Sequence, residues 1–139
     1  MRLLLIADKD TDVRRQITEI FEEGDYQVIA PQSVDAVLRD VLKRDVKVIV
    51  LGSEFDDMPA KELIPLLKSC KRDLTIILIS DEESLPLLRK FRREGIFYHA
   101  LKPINREDRD ELRQVVKCAF ENSSDRLWSA RLSQNNHGE

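Results

Sequence analysis

The sequence predicts an α/β fold in which a doubly wound, parallel five-stranded sheet is covered by helices on both faces. Short β-branched apolar runs alternate along the chain with segments whose apolar residues recur at helical spacing. The run 48–51 is apolar at every position, as expected of a strand buried on both faces, and it ends abruptly at Gly52. The 139 residues are enough for one domain with its own core.

The first two strand–helix units are predicted within residues 3–43. Residues 3–7 form the first strand, Thr11 or Asp12 caps the helix after it, and Gly24 lies beyond that helix. Residues 26–30 form the second strand, and Ser33 caps the second helix. The positions expected to face inward are Val13, Ile17, Ile20 and Phe21 in the first helix, and Val34, Val37, Leu38, Val41 and Leu42 in the second.

The third strand is followed by a polar loop, residues 53–57, and by a helix from about Ala60 to Cys70. Pro65 is expected in or near the first turn of this helix, because deeper in a helix proline removes a backbone hydrogen bond. Residues 74–80 form the fourth strand, and Ser84 caps a short fourth helix that stops at Gly95.

The fifth strand is predicted at residues 96–101, and Asn105 caps the last helix. The apolar stripe of that helix consists of Leu112, Val115, Val116, Ala119 and Phe120. Residues 1–121 then make up the domain, and residues 122–139 form a polar tail in which Leu127, Trp128 and Leu132 are the apolar positions. We interpret the tail as a frayed helix end and a mobile segment, with a partner-binding segment as the alternative.

Charge and cysteine content exclude several function classes. The chain has 23 basic and 26 acidic residues with interspersed signs and a net charge of −3, which does not predict nucleic-acid binding. Cys70 and Cys118 lack metal-ligand spacing and are interpreted as thiols of a reducing compartment. Neither a signal peptide nor a transmembrane stretch is predicted, so we expect a cytoplasmic protein that does not bind membranes.

Polar residues follow the strands whose carboxyl ends meet at one crevice of such a sheet. They are Asp8, Lys9 and Asp10 after the first strand, Gly52 at the end of the third, Ser80 at the end of the fourth, and Lys102 and Pro103 after the fifth. With these residues at these spacings, residues 3–120 resemble the receiver domain of two-component response regulators. The resemblance implies a flavodoxin-like fold with strand order 2-1-3-4-5 and five helices.

In the receiver family, an acidic pair after strand one helps to hold Mg²⁺, and an aspartate ending strand three accepts a phosphoryl group. A Ser or Thr ends strand four, and a lysine precedes a cis-proline after strand five. By this resemblance Asp8 matches the first acid, Ser80 the hydroxyl, and Lys102 with Pro103 the lysine–proline pair. Gly95 matches the glycine before strand five, and His99 falls at the position of an aromatic switch residue.

Two residues depart from the family pattern: Lys9 stands where the second acid belongs, and Gly52 where the phospho-acceptor belongs. Phosphoryl transfer to a carboxylate needs that carboxylate and a divalent cation. The side-chain charges at this edge add up to zero, counting Asp8, Asp10, Lys9 and Lys102. A neutral site attracts a hard dication only weakly, so we expect weak or absent Mg²⁺ binding. We also expect no cofactor and no enzymatic activity. We also expect the Lys9 ammonium to occupy roughly the place of the metal and to pair with Asp8 or Asp10.

The leading interpretation is a pseudo-receiver that cannot be phosphorylated and acts as a protein–protein interaction module in signalling or transcriptional control. The resemblance implies that a partner or a second copy docks on the face formed by the fourth helix, the fifth strand and the fifth helix. The residues expected on this partner face are Arg89, Arg92, Arg93, His99, Arg106, Arg109 and Arg113. No nucleic acid is expected to bind the domain itself.

Simpler structural interpretations stand beside these assignments. Ser80 is interpreted as a strand-end hydroxyl bonded to nearby backbone, Lys102 as a solvated or salt-bridged lysine, and His99 as a half-buried strand residue. Two functional alternatives also remain. One is an atypical receiver that takes phosphate on Glu54 or Asp56 in the loop after strand three, and the other is a small-molecule sensor in the crevice that Gly52 leaves open.

Overall fold

The central sheet has the predicted architecture. The computed structural model describes residues 2–80, 93 and 95–124, and side chains as far as residue 122. The five strands of the sheet are β1 (Arg2–Ala7), β2 (Tyr26–Ile29), β3 (Val48–Gly52), β6 (Thr75–Ser80) and β7 (Tyr98–Leu101). They are parallel and pair in the order β2-β1-β3-β6-β7, which confirms the predicted fold class and strand order.

Four helices lie within the described part of the chain. They are α1 (Thr11–Glu22), α2 (Val34–Lys43), α3 (Ala60–Cys70) and the C-terminal helix α4 (Arg106–Ser124). The helix predicted to start at Ser84 and the tail from residue 125 onward lie outside the described residues. None of the helices described is long and apolar enough to cross a membrane.

Two apolar layers sandwich the sheet because alternate strand residues point to opposite faces. Leu4, Ile6, Val50 and Ile77 pack with α1 and α4 on one face. Leu5, Ile49, Leu51 and Ile76 pack with α2 and α3 on the other. All five residues of β3 are buried, as predicted from its unbroken apolar run, and the predicted stripe of the C-terminal helix is buried as well.

Three local predictions about the helices were wrong. Asp10, rather than Thr11 or Asp12, is the N-cap of α1, because its carboxylate accepts hydrogen bonds from the backbone N–H groups of Asp12 and Val13. Pro65 is the sixth residue of α3 and lies beyond the first turn, with its exposed ring on the solvent side. Leu42 is 61% exposed, although its spacing placed it on the inward face of α2.

The segment predicted as a polar loop after β3 contains a small antiparallel hairpin, β4 (Glu54–Phe55) and β5 (Met58–Pro59). Its two-residue turn consists of Asp56 and Asp57, at φ values of 51° and 61°. Aspartate tolerates this left-handed region better than most residues, and paired left-handed residues suit a two-residue hairpin turn. The hairpin places Glu54 beside the carboxyl end of β1, where the candidate site lies.

Candidate functional site at the carboxyl edge of the sheet

The side chain of Asp8 fills the space next to Gly52. Parallel pairing of β1 with β3 sets Ala7 opposite Leu51, so that the next residues along each strand, Asp8 and Gly52, are neighbours. A Cβ atom on residue 52 would lie 2.5 Å from Asp8 Cγ and 2.9 Å from Asp8 Oδ1, and closer still to Oδ2. No side chain fits at residue 52 unless the Asp8 carboxylate moves. A lone glycine at a strand end is a sequence signal for such a close approach.

The Asp8 carboxylate is buried, with 6% of the residue exposed. Burial raises the pKa of Asp8, and the nearby Asp10 carboxylate raises it further. A hydrogen bond from the backbone N–H of Asp10 to Asp8 Oδ1, 2.8 Å long, and the charges of Lys102 and Arg14 act in the opposite direction. Because desolvation outweighs these contacts, the neutral form of Asp8 is favoured relative to an exposed aspartate.

The loop between β1 and α1 is held by its own side chains. Asp10 caps α1, so its Oδ1 atom is already bonded to two backbone N–H groups. Arg14 donates from Nη1 to the backbone carbonyl of Asp8 at 2.9 Å and from Nη2 to Thr11 Oγ1 at 3.2 Å. The sequence prediction missed Arg14, which fixes the backbone from which the Asp8 side chain enters the site.

Lys9 does not pair with Asp8 or Asp10, contrary to the prediction. Its ammonium lies 3.1 Å from Glu54 Oε2, and its backbone N–H donates to the Glu54 carbonyl at 3.0 Å. The Lys9 and Glu54 side chains are 64% and 45% exposed, so the ion pair is worth about 0–1 kcal/mol. The prediction failed because the hairpin brings Glu54 next to Lys9, which draws the ammonium to the mouth of the site instead of its interior.

Two acids of the hairpin, Glu54 and Asp56, have structural partners. Glu54 pairs with Lys9, and Asp56 Oδ2 accepts a hydrogen bond of 2.9 Å from the backbone N–H of Val34, the first residue of α2. Asp56 thereby ties the hairpin to the start of α2. Two aspartates between Phe55 and Met58 are a turn signal, and this signal would have revealed the hairpin from the sequence.

An open cavity of about 350 Å³ lies at this edge, and its lining combines residues from three loops. It is lined by Asp8, Lys9, Asp10, Ser53, Glu54 and Lys102. The structure therefore brings together the predicted residues of the first strand end and Lys102, and it adds Ser53 and Glu54. Gly52 is not part of this lining, because the Asp8 carboxylate fills the space beside it. The prediction that Gly52 leaves the crevice open was therefore wrong.

Ser80 belongs to a second arrangement, in which its hydroxyl contacts His99. Ser80 Oγ lies 2.6 Å from His99 Nε2, a side-chain partner that the sequence did not predict. Ser80 is 3% exposed and His99 is half-buried, as predicted for the histidine. Burial lowers the pKa of His99, which favours the neutral imidazole. The pair lies on the sheet face covered by α2 and α3, since His99 pairs in register with Leu78.

Lys102 and Pro103 follow β7 at the predicted place. The backbone N–H of Lys102 donates to the Ser80 carbonyl at 3.2 Å, and its charge lowers the pKa of Asp8. Pro103 is buried, and the peptide bond between Lys102 and Pro103 is trans, not cis as the family resemblance implied. Lys102 thus connects the two arrangements, because its backbone N–H contacts Ser80 and its charge lowers the pKa of Asp8.

The structure describes only some residues of the predicted partner face. Arg93, Arg106, Arg109 and Arg113 are exposed, and Arg113 pairs with Asp110 at 2.7 Å. Arg89 and Arg92 lie outside the described residues. Apolar groups add to this face, because Phe97 and Tyr98 are 38% and 39% exposed and Ile104 is 77% exposed.

Magnesium is the metal that the family resemblance implies, and the residues present do not fit it. Asp10 is engaged as the cap of α1, Asp8 Oδ1 accepts a backbone N–H, and Lys9 brings a positive charge to the mouth of the cavity. Within the part of the chain that the structure describes, no three acidic, histidine or cysteine residues are grouped as metal ligands. A hard dication requires several free oxygen ligands in defined geometry.

Comparison with known proteins identifies the family. Residues 4–117 match the family described as "Response regulator receiver domain". A curated relative, the DNA-binding transcriptional regulator NtrC of Azospirillum brasilense, is 26% identical over 121 residues, which cover 87% of this chain and 24% of the relative. The chain thus spans about a quarter of the length of that protein.

Solved structures support the same fold. The signal receiver domain of an HD domain-containing protein from Pseudomonas fluorescens Pf-5 superposes with a TM-score of 0.79 at 18% identity, covering 91% of each chain. NtrX from Brucella abortus also gives a TM-score of 0.79, at 19% identity, covering 94% of this chain and 30% of that one. With its receiver topology and a family match over residues 4–117, this chain belongs to the response regulator receiver domain family.

Proposed function

We propose that this receiver domain is a phosphate-blind interaction module of two-component signalling, that is, a pseudo-receiver. One observation carries the proposal: the Asp8 carboxylate occupies the space that a side chain on residue 52 would need. By the family pattern, residue 52 is the position of the phospho-acceptor. Glycine supplies no nucleophile there, and phosphoryl transfer to a carboxylate cannot proceed without one.

The misfit to magnesium supports the same proposal. Phosphoryl transfer in this family relies on a divalent cation to offset charge on the moving oxygens. The acids at this edge are engaged: Asp8 accepts the Asp10 backbone N–H, Asp10 caps α1, and Glu54 pairs with Lys9. The domain then has neither the acceptor nor the metal site, and we propose that it has no phosphotransfer activity.

The output of such a module is a protein contact, which we place on β7 and the start of the C-terminal helix. Exposed arginines on this face alternate with acids such as Asp110 and Glu111, and Ile104 protrudes from the loop between the two elements. Mixed charge around a small apolar patch suits a contact in which electrostatics sets the register. The partner is a second protein or a second copy of this chain.

An amide NMR titration with Mg²⁺ and then beryllofluoride, a phosphoryl mimic, tests phosphate blindness. We expect no saturable shifts near Gly52, Ser80 and Lys102 in the wild-type chain. The matched variant carries Lys9→Asp together with Gly52→Asp, which restores both missing acids. The new side chain at residue 52 displaces the Asp8 carboxylate from its place beside β3, and with these acids at the cavity we expect Mg²⁺-dependent shifts. Saturable wild-type shifts centred on Glu54 or Asp56 would instead support the alternative of a receiver with a displaced acceptor.

A charge reversal tests the partner face separately. Arg109 is exposed on the C-terminal helix, and Arg109→Glu is expected to weaken self-association or partner capture about tenfold, if the contact contributes about 1.4 kcal/mol. Arg72→Glu makes the same charge change at an exposed site after α3 and serves as the control. If both variants sediment and capture partners equally, the interface does not include this face.

A small-molecule sensor is the second candidate, because the cavity of about 350 Å³ falls within the size range of ligand sites. A thermal shift with a metabolite panel separates it from the leading proposal. Stabilisation of the wild-type chain that is lost in Lys102→Ala, a change within the cavity lining, would favour the sensor. Lys61→Ala, at an exposed position on α3, is the control.

A further inference from the structure

A groove lies between the end of α1 and the C-terminal helix, away from the carboxyl edge. It encloses about 400 Å³. Ile20, Phe21 and Tyr26 form its apolar floor, and Arg113, Gln114 and Lys117 line it from the C-terminal helix. Lys117 is exposed, and its ammonium group makes no hydrogen bond or ion pair among the described residues. The groove thus offers an apolar surface beside a cation.

The groove is continuous with the end of the C-terminal helix. The ring of Tyr26 lies 5.2 Å from that of Phe21 and 5.7 Å from that of Phe120. Phe120 is followed within about one turn by Ser124, the last residue of the helix. The described part of the chain thus ends on the same helix that lines the groove.

The sequence beyond Ser124 contains a candidate occupant. Leu127, Trp128 and Leu132 are the large apolar residues of a polar stretch, and the proposed domain function makes no use of them. Lys117 precedes Ser124 by seven residues, about 10 Å along the helix axis. Three extended residues span about 10 Å, so a chain that reverses after Ser124 brings residues 127 and 128 back to the level of Lys117.

We propose that residues 127–132 bind in this groove of their own domain, with Trp128 against Tyr26 and the Lys117 side chain. An indole buries a large apolar area, and a lysine ammonium over its face adds a cation–π attraction. The short tether gives an effective concentration in the millimolar range, so that a weak contact is enough to fill the groove. This proposal does not depend on whether the domain takes phosphate.

Trp128 is the single tryptophan of the chain, so its fluorescence reports the contact without labelling. We expect acrylamide to quench the full-length chain severalfold less than free tryptophan amide. Lys117→Glu is expected to raise quenching toward the free value. Lys61→Glu makes the same charge change at an exposed position on α3 and is expected to change nothing.

A second variant keeps the test independent of the charge at residue 117. Gln114→Phe fills the groove from its exposed wall and is expected to displace Trp128 to the same extent. In the reciprocal experiment, Trp128→Ala is expected to shift the amide resonances of Gly24 and Lys117 but not that of Leu42 on α2.

Three outcomes would overturn the proposal. Wild-type quenching equal to that of free tryptophan amide would show that the indole is in water. Unchanged amide shifts around Gly24 in Trp128→Ala would show that the indole is buried elsewhere. Quenching that depends on protein concentration would assign the groove to the tail of a second copy instead of the same chain.

Discussion

The two halves of the carboxyl edge are held together by different chemistry. At the β1–β3 half, a buried carboxylate, Asp8, fills the niche beside Gly52 and is surrounded by charged neighbours. At the β6–β7 half, Ser80 Oγ and His99 Nε2 form a short side-chain contact of 2.6 Å. Burial raises the pKa of Asp8 and lowers the pKa of His99, so that the same cause favours the neutral form of both groups.

The consequences of pH are opposite in the two halves. The pKa of Asp8 is raised above 3.8, so its contribution to stability is fully present below pH 3.8 and is lost as pH rises through the folded-state pKa. The pKa of His99 is lowered below 6.5, so its contribution is fully present above pH 6.5 and is lost as pH falls toward the folded-state pKa. As pH rises, the Asp8 half is therefore the one that loses stability.

The largest change in stability is expected from a side chain that fills the niche beside Gly52. Gly52→Ala places a Cβ atom against the Asp8 carboxylate, which must leave the hydrogen bond from the Asp10 N–H. We expect a loss of about 1–3 kcal/mol in the free energy of unfolding, as for other overpacked interiors. Urea denaturation followed by circular dichroism measures it.

Gly24→Ala is the matched control for this substitution. A Cβ atom on residue 24 would lie 3.4 Å from the nearest ring carbon of Tyr26, an ordinary contact. We expect Gly24→Ala to change stability by less than about 0.5 kcal/mol. Equal losses in the two variants would mean that the Asp8 carboxylate is not held in the niche.

Removing the buried charge of Asp8 is expected to raise the free energy of unfolding, by less than Gly52→Ala lowers it. Asp8→Asn keeps the size of the side chain and an oxygen to accept the Asp10 N–H, and it no longer buries a carboxylate. We expect Asp8→Asn to be more stable than the wild type at pH 7, by about 0.5–2 kcal/mol, the usual size of a stabilising substitution. The gain should shrink as pH falls toward 3.8, because both proteins are then neutral at residue 8.

Asp12→Asn controls for the loss of a carboxylate near the start of α1. The Asp12 side chain is 72% exposed and pairs with Arg15, so its removal should slightly destabilise the chain and not stabilise it. If Asp8→Asn proves less stable than the wild type at pH 7, the attraction of Lys102 and Arg14 outweighs desolvation, and the inference that the Asp8 half loses stability as pH rises is wrong.

The fold could be predicted from the sequence to a large extent because burial imposes local periodicity. Residues 48–51 are apolar without a break because β3 is covered on both faces, and the spacing of Leu112, Val116 and Ala119 reports one buried helix face. Leu42 shows the limit of periodicity. It has the spacing of a core residue, but it lies in the last turn of α2 and is 61% exposed, although Val41 beside it is buried.

The site could be predicted only as a set of residues, because its contacts join segments far apart in the chain. Lys9 and Glu54 are 45 residues apart, and their pairing depends on a hairpin turn that was interpreted as loop. The Asp8–Gly52 contact depends on the parallel register of β1 and β3. Spacing alone gives neither the register nor the direction of a side chain.

The smallest effect is expected in the β6–β7 half. Ser80→Ala removes the hydroxyl that contacts His99 and should cost about 0.5–1 kcal/mol, since half-buried His99 can turn partly to water. The decisive measurement is an NMR titration of the imidazole, in which His99→Gln assigns the signals against His137, the chain's other histidine.

Losing the hydroxyl should move the pKa of His99 back toward 6.5 if the contact with Ser80 helps to keep the ring buried and neutral. The part of the fall in stability on acidification that comes from His99 should then weaken in Ser80→Ala, whereas Asp8→Asn should leave the pKa of His99 unchanged. A His99 titration that responds to Asp8→Asn as strongly as to Ser80→Ala would show that the two halves of the edge are electrostatically one site. Lys102 would then be the group that couples them, since its backbone contacts Ser80 and its charge acts on Asp8.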